Sequence, residues 1–272
     1  MNRTCMRRAC ALPFLVLATS PMSRADVPVE PGIGVVASPC AAVPLEPTAA
    51  HKASADPWQA WMRDWLSLDW PQSCRYAREN AALPAAGLRR IVMMGDSITE
   101  GWKEQDPAMF GPDLIDRGIS GQTTGQMLLR MRQDVIDLHP AVVQVMGGTN
   151  DIAGNRGATT LATIQGNIAG MCELASAHGI RVIVASILPA ARIPWQPQIE
   201  PVAQIAAMND WLRRYADEHH YTYVDYHAAL DDGHGGIDPR YSEDGVHPNA
   251  AGYQVMHPLF EAAAARALHR GR

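Results

Sequence analysis

Ser97 lies in the segment Gly95-Asp96-Ser97-Ile98-Thr99-Glu100-Gly101, directly behind a short apolar run and flanked by glycines. A serine hydroxyl is a weak nucleophile until a neighbouring base takes its proton. Far along the chain, Glu243-Asp244-Gly245-Val246-His247-Pro248-Asn249 offers such a base. Imidazoles ordinarily titrate near ~6.5, which suits proton transfer close to neutrality. Asp244 precedes His247 by three residues in a loop containing Gly245, so a turn can fold its carboxylate onto the ring and fix the tautomer. Gly121, within Gly118-Ile119-Ser120-Gly121-Gln122-Thr123-Thr124, lacks a side chain, and its N–H can approach a ligand closely. Asn150, within Gly147-Gly148-Thr149-Asn150-Asp151, adds an amide donor. With the N–H of Ser97, these make three candidate donors for an oxyanion, and losing one such donor typically costs ~10²–10³ in turnover. A nucleophile, a base with its orienting acid, and oxyanion donors are what acyl transfer from an ester requires.

The elements that must position these residues alternate. Apolar runs at Arg90–Met94, Leu114–Ile119, Ala141–Met146, Ile180–Ile187 and Tyr221–Asp225 read as five strands. Helical periodicity fills about 122–137, 158–178, 198–219 and 249–269. Near-continuous apolar strands separated by helices predict an α/β fold whose parallel sheet is covered on both faces. Such sheets bind their ligands beyond the carboxyl ends of the strands, and each chemistry-bearing segment follows a strand or immediately precedes the last helix.

At these residues the chain resembles the SGNH, or GDSL-type, hydrolases, named for a serine, a glycine, an asparagine and a histidine in separate blocks. Gly95-Asp96-Ser97 matches the first block, with Ile98 where many members carry leucine; Gly121 matches the second. Gly148-Thr149-Asn150-Asp151 matches the third and Asp244 to His247 the last. One block alone is weak, but four in order are specific, and the match spans roughly residues 88–268. The resemblance implies a three-layer α/β/α sandwich with a five-stranded parallel sheet, flavodoxin-like in plan. It implies Ser97 as nucleophile, Asp244 and His247 as acid and base, and Ser97, Gly121 and Asn150 as the oxyanion hole. No cofactor and no metal is expected. The wording of the blocks is similar to the branch holding platelet-activating-factor acetylhydrolase-like and lysophospholipase-like esterases, and to exported bacterial acetylesterases that act on polysaccharides. The expected substrate is a small-molecule or oligosaccharide ester carrying a short acyl group, most simply acetyl. A lysophospholipase or arylesterase activity is the alternative, and a catalytically idle carbohydrate-binding module the reading from another class.

Other features bound the answer. Arg3, Arg7 and Arg8 followed by the apolar run Ala9 to Ala18 and by Ser23-Arg24-Ala25 read as a signal peptide over residues 1–25, hence an exported, periplasmic or secreted protein. Its apolar stretch is too short to span a bilayer, and no stable membrane insertion is expected. Removing that segment deletes four arginines and no acids, so 23 basic residues become 19 against 28 acidic ones, a net charge of −9. No Lys/Arg run survives to bind nucleic acid. Residues 26–87 have no counterpart in the family pattern and read as an extended lead-in followed by two short helices. In the first of these, Trp58, Trp61 and Trp65 recur at helical spacing. Such a stripe usually packs on a core, and a carbohydrate platform is the alternative. Residues 88–272 form the hydrolase domain. Cys40 and Cys74 could pair in an oxidising compartment, while Cys172 lies in a helical pattern and reads as a buried thiol. Ser97 with Glu100 could instead cap a helix. The histidines and acids between His219 and Asp238 match no ligand spacing. Trp102 and Trp195 stand near the candidate loops and could line a pocket or fill the core.

Overall fold

The computed structural model describes residues 39–269. The predicted signal peptide and the first part of the lead-in, residues 26–38, lie outside the described residues. The second of the chain's two units begins at Cys40 and carries the sheet.

Five parallel strands are present: β1 (Ile91–Gly95), β2 (Leu114–Gly118), β3 (Val142–Val145), β4 (Arg181–Ala185) and β5 (Thr222–Val224). Their spatial order is β2-β1-β3-β4-β5, so the order reverses at β1 and leaves a crevice between the carboxyl ends of β1 and β3. All of β1 is buried. Val92 and Met94 face one core while Ile91 and Met93 face the other. This two-sided burial explains why the strands read as continuous apolar runs and not as alternating ones. Each such side chain contributes roughly 1.5–3 kcal/mol by leaving water.

The helices in chain order are α1 (Ala49–Lys52), α2 (Pro57–Leu68), α3 (Ala77–Ala82), α4 (Ser97–Gln105), α5 (Thr124–Leu129), α6 (Met131–Asp134), α7 (Thr149–Ile152), α8 (Leu161–Ala177), α9 (Val202–Glu218), α10 (Tyr226–Leu230) and α11 (Ala250–His269). Met127 of α5, Met131 of α6, Ile164 and Met171 of α8, and Ile205 and Met208 of α9 fill one side of the sheet. Ile98 and Trp102 of α4, Tyr226 of α10, and Met256 and Phe260 of α11 fill the other. The result is the expected α/β/α sandwich with a five-stranded parallel sheet.

The single helix expected over about 122–137 is in fact broken. It becomes α5, α6 and a 3-10 turn at Ile136–Leu138, with the break at Arg130. That side chain is fully buried and donates to Gln122 Oε1 at 2.6 Å, to the carbonyls of Gly95 and Arg117 at 3.0 and 2.7 Å, and to Asp134 at 3.0 Å. The guanidinium thus ties the carboxyl ends of β1 and β2 together, an interaction that helical periodicity does not report.

The lead-in is not wholly extended either. A 3-10 turn at Pro39–Ala42 and α1 precede α2. A disulfide joins Cys40 to Cys74 and closes a loop around α1 and α2. Beyond it, Gln126 Nε2 donates to the carbonyl of Trp70 at 2.7 Å and Gln122 Nε2 to that of Pro71 at 2.9 Å. The Tyr76 hydroxyl donates to the carbonyl of Gly118. The amino-terminal helices are therefore fastened to the loops that follow β2. Cys172 is buried and unpaired, and burial pushes its thiol up to about 12.

Candidate active site

Each strand end delivers one part. At the end of β1 the chain turns straight into α4, with Asp96 as N-cap accepting the N–H of Ile98 at 3.0 Å. Ser97 is the first residue of that helix and not its cap. The alternative reading of Ser97 and Glu100 as a capping box therefore fails, because Glu100 is used elsewhere: it accepts from the N–H and hydroxyl of Ser120 at 2.8 and 2.6 Å. Close packing of α4 on β2 depends on Gly118, where an added Cβ would stand 2.2 Å from the backbone N of Glu100.

The His247 loop is folded by Asp244. Its Oδ1 accepts the N–H groups of Val246 and His247, both at 2.8 Å, and its Oδ2 lies 2.6 Å from His247 Nδ1. Ser242 closes the same turn by donating to the His247 carbonyl at 2.7 Å. Partial burial alone would raise the Asp244 carboxyl, but the hydrogen bonds from the ring and the two N–H groups outweigh it and hold the group below the ordinary carboxylate range. With Nδ1 committed to the carboxylate, Nε2 is the free lone pair, and it stands 2.9 Å from Ser97 Oγ. The two loops are also linked through their helices, since Tyr253 of α11 donates to the carbonyl of Ile98 at 2.7 Å.

Asn150 lies on α7, beyond β3. The turn into α7 requires glycine at position 148, where φ is +124° and a Cβ would collide with Ile187 at 2.7 Å. The Asn150 amide is oriented from both ends. Its Oδ1 accepts from Asn155 Nδ2 at 2.6 Å, and its Nδ2 donates to Asp96 Oδ2 at 3.2 Å. One N–H of that amide remains to point at a ligand. Burial pushes the Asp96 carboxyl up to about 6, against the opposing pull of the Ile98 N–H and of His247. Asp151, the neighbour of Asn150, turns away and accepts from the N–H and hydroxyl of Thr124 at 2.8 and 2.7 Å, so its work is to dock α5.

Ser97, Gly121, Asn150 and His247 all line one cleft of about 590 Å³. The structure thus brings together the sequence-predicted residues from four separate loops, with Asp244 directly behind His247. Trp195 lies against His247, ring centroids 5.9 Å apart, and donates from Nε1 to Asn155 Oδ1 at 2.9 Å. Trp102, by contrast, is buried among Tyr226, Tyr253 and Phe260. The tryptophan stripe of α2 divides in function. Trp65 is buried in the core, whereas Trp58 is 49% exposed and lines the cleft. Trp58 joins the cleft from the stripe for which core packing was expected and a carbohydrate platform was the alternative, whereas Asn155 and Arg156 belong to the cleft but carry no motif, so sequence reasoning had no signal for their place there. Asp231 and Asp232 fold a local turn by accepting N–H groups from Gly233, His234, Gly235 and Gly236. Among the described residues, no group of three or more His, Cys, Asp or Glu is arranged to hold a metal ion.

The model of the GDSL-like lipase/acylhydrolase family matches residues 93–255, more than half of the chain and the span that contains these loops. This chain belongs to that family. As a GDSL-type acylhydrolase it is similar to a solved structure from Bacteroides fragilis described as an acylhydrolase. The two are 43% identical, covering 74% of this chain and 99% of that one, with a TM-score of 0.72. A GDSL-like lipase from Bacteroides thetaiotaomicron is 42% identical over 73% of this chain and all of that one, with a TM-score of 0.71. A curated relative, an uncharacterized lipoprotein of Bacillus subtilis, is 30% identical over 127 residues. The match covers 40% of this chain and about half of that relative, 52% of its length.

Proposed function

We propose that this acylhydrolase cleaves carboxylic esters through an acyl-enzyme formed on Ser97. The observation that carries the reading is the chain of contacts from Asp244 Oδ2 to His247 Nδ1 at 2.6 Å and from His247 Nε2 to Ser97 Oγ at 2.9 Å. Asp244 holds the tautomer in which Nε2 accepts, so His247 takes the Ser97 proton as the hydroxyl attacks the ester carbonyl. The N–H groups of Ser97 and Gly121 and the amide of Asn150 receive the negative charge that develops on the carbonyl oxygen. The imidazolium then gives its proton to the leaving alcohol. A water, deprotonated by the same imidazole, releases the acid and restores Ser97.

The substrate is inferred from the cleft walls. Gln59, Ser120, Asn155 and Gln196 line it beside two tryptophans, Trp58 at 49% and Trp195 at 42% exposure. Aromatic faces set among amide and hydroxyl groups suit a sugar ring better than a long acyl chain, which would need a continuous apolar channel. A short acyl group, most simply acetyl, on a carbohydrate is therefore the preferred substrate. Export is inferred from the basic and apolar start of the chain and is supported by the disulfide at Cys40 and Cys74, since such bonds persist in oxidising compartments.

Ser97→Ala is expected to lower turnover of nitrophenyl acetate by roughly 10⁶-fold, down to the uncatalysed background, while leaving the circular-dichroism spectrum unchanged. Wild-type turnover in that variant, with contaminating esterase excluded, refutes the assignment of Ser97. A screen of nitrophenyl esters from acetyl to long-chain, beside acetylated xylo-oligosaccharides and a lysophospholipid, tests the substrate. Preference for the long chains or the lysophospholipid refutes the carbohydrate reading. Absence of fluorophosphonate labelling at Ser97 would leave an idle binding module instead.

A further inference from the structure

Arg156 carries the one fixed charge among the described residues that line the cleft, and no carboxylate shares that lining. The residue follows Asn155 in the loop beyond α7. Its Nη1 donates to the carbonyl of Asn155 at 2.9 Å, and its buried Nε meets no acceptor among the described residues. Its Nη2 lies 3.8 Å from the point where a Cβ on Gly121 would stand, so the guanidinium borders the loop that supplies an oxyanion donor. Arg130, a buried arginine at the carboxyl ends of β1 and β2, is paired with Asp134 at 3.0 Å. Among the described residues Arg156 has no such partner. Burial lowers its pKa from the ordinary value and no neighbouring anion opposes that effect, although a guanidinium stays charged at any working pH.

Removing a charge from water without a counter-ion is unfavourable. A guanidinium held this way in an open cleft is suited to an anion that arrives with the ligand. The surroundings favour one side of the reacting serine. A second hollow beside Ser97 and His247 is lined by Glu104 and by Glu100, the latter paired with Arg75 at 3.3 Å; it offers an anionic substituent no arginine or lysine in its lining and a carboxylate that disfavours it. The Trp58 and Trp195 side, with Arg156, attracts it.

The geometry points to Arg156 as the recognition group for a carboxylate borne by the substrate, so that the esters this chain turns over best carry an acid group near the scissile bond. This inference rests on ester hydrolysis at Ser97. The planar fork of a guanidinium matches a carboxylate in a way a lysine ammonium does not. The carboxylate can belong to the acyl part or to the alcohol part, and the two are separable by experiment.

The test compares kcat/KM within two pairs of esters, each an acid and a neutral counterpart. Nitrophenyl hemisuccinate against nitrophenyl acetate places the acid on the acyl side. Mono-O-acetyl glucuronate against mono-O-acetyl glucuronamide places it on the alcohol side. The wild type is expected to favour the acid about tenfold or more in one pair, with a preference that weakens at high ionic strength. Arg156→Gln should bring that ratio to about one, and Arg156→Lys should keep part of it. A wild-type ratio near one or below in both pairs overturns the inference. So does an equal fall for acid and neutral ester in Arg156→Gln, since that marks a loop-holding role. Calorimetry on Ser97→Ala with two product pairs, succinate against succinamate and glucuronate against glucuronamide, reads the subsite without turnover. Tighter binding of the more acidic member of either pair that Arg156→Gln abolishes supports the subsite even if hydrolysis at Ser97 fails, and equal binding within both pairs refutes it.

Discussion

Replacing Cys40 and Cys74 together by alanine opens a loop whose ends are 34 residues apart. In the chain-entropy account of disulfides, a closed loop of that length restricts the unfolded chain by about 4 kcal/mol at ~25 °C. For a domain of this size, that corresponds to a melting temperature lower by roughly 8–16 °C. The loop encloses α2, which presents Trp58, Gln59 and Met62 to the cleft. The loss should therefore be felt twice. Urea denaturation of the oxidised wild type, the reduced wild type and the double variant should place the last two together, about 4 kcal/mol below the first. The KM for an acetylated oligosaccharide should rise, because the wall carrying Trp58 is held less firmly. Turnover of nitrophenyl acetate should persist, because Ser97, Gly121, Asn150 and His247 all lie outside the bridged segment. The reasoning is refuted if the double variant unfolds within about 0.5 kcal/mol of the oxidised wild type, or if its KM for both substrates is unchanged.

Two further outcomes are expected. Asn155→Ala deletes the hydrogen bond that fixes the side-chain oxygen Oδ1 of Asn150 and the one that holds Trp195; kcat should fall about tenfold or more with a much smaller change in KM, and an unchanged kcat in steady-state assays would show that Asn150 is oriented without it. Burial pushes the Asp116 carboxyl up to about 7, with the Gly118 N–H pulling the other way. The folded chain then keeps a proton that the unfolded chain has lost, so stability falls as pH rises from about 4 to about 7 and the cost is fully present above that window. Asp116→Asn should lose less stability than the wild type between about pH 5 and about pH 8, gaining roughly 1–3 kcal/mol at the upper end. An equal loss in both proteins would refute it.

The strands and the reacting groups were legible in the sequence because both are local signals. A strand buried on two faces must be apolar throughout, as Ile91–Gly95 and Val142–Val145 are. The glycine-flanked serine, the Asp244 turn and the Gly148 turn are set by neighbours within a few positions. The helix break at Arg130 and the exposure of Trp58 were not legible for the same reason in reverse. Helical periodicity cannot distinguish an arginine that leaves its helix to bind the carbonyls of Gly95 and Arg117 from one that stays in it. Nor can it separate the buried Trp65 from Trp58, half-exposed on the same helix.

By itself, then, the amino-acid order determined which groups could react and on which elements they stand, since backbone conformation and apolar period depend on nearby residues. Only the folded chain decided that Ser97 and His247, 150 positions apart, come to 2.9 Å. It alone placed Asn155 behind Asn150 and left Arg156 facing the cleft without a counter-ion. Those outcomes depend on crossovers that bring distant strand ends to one edge of the sheet. No stretch of sequence contains the distance between two loops that meet only after the sheet is assembled.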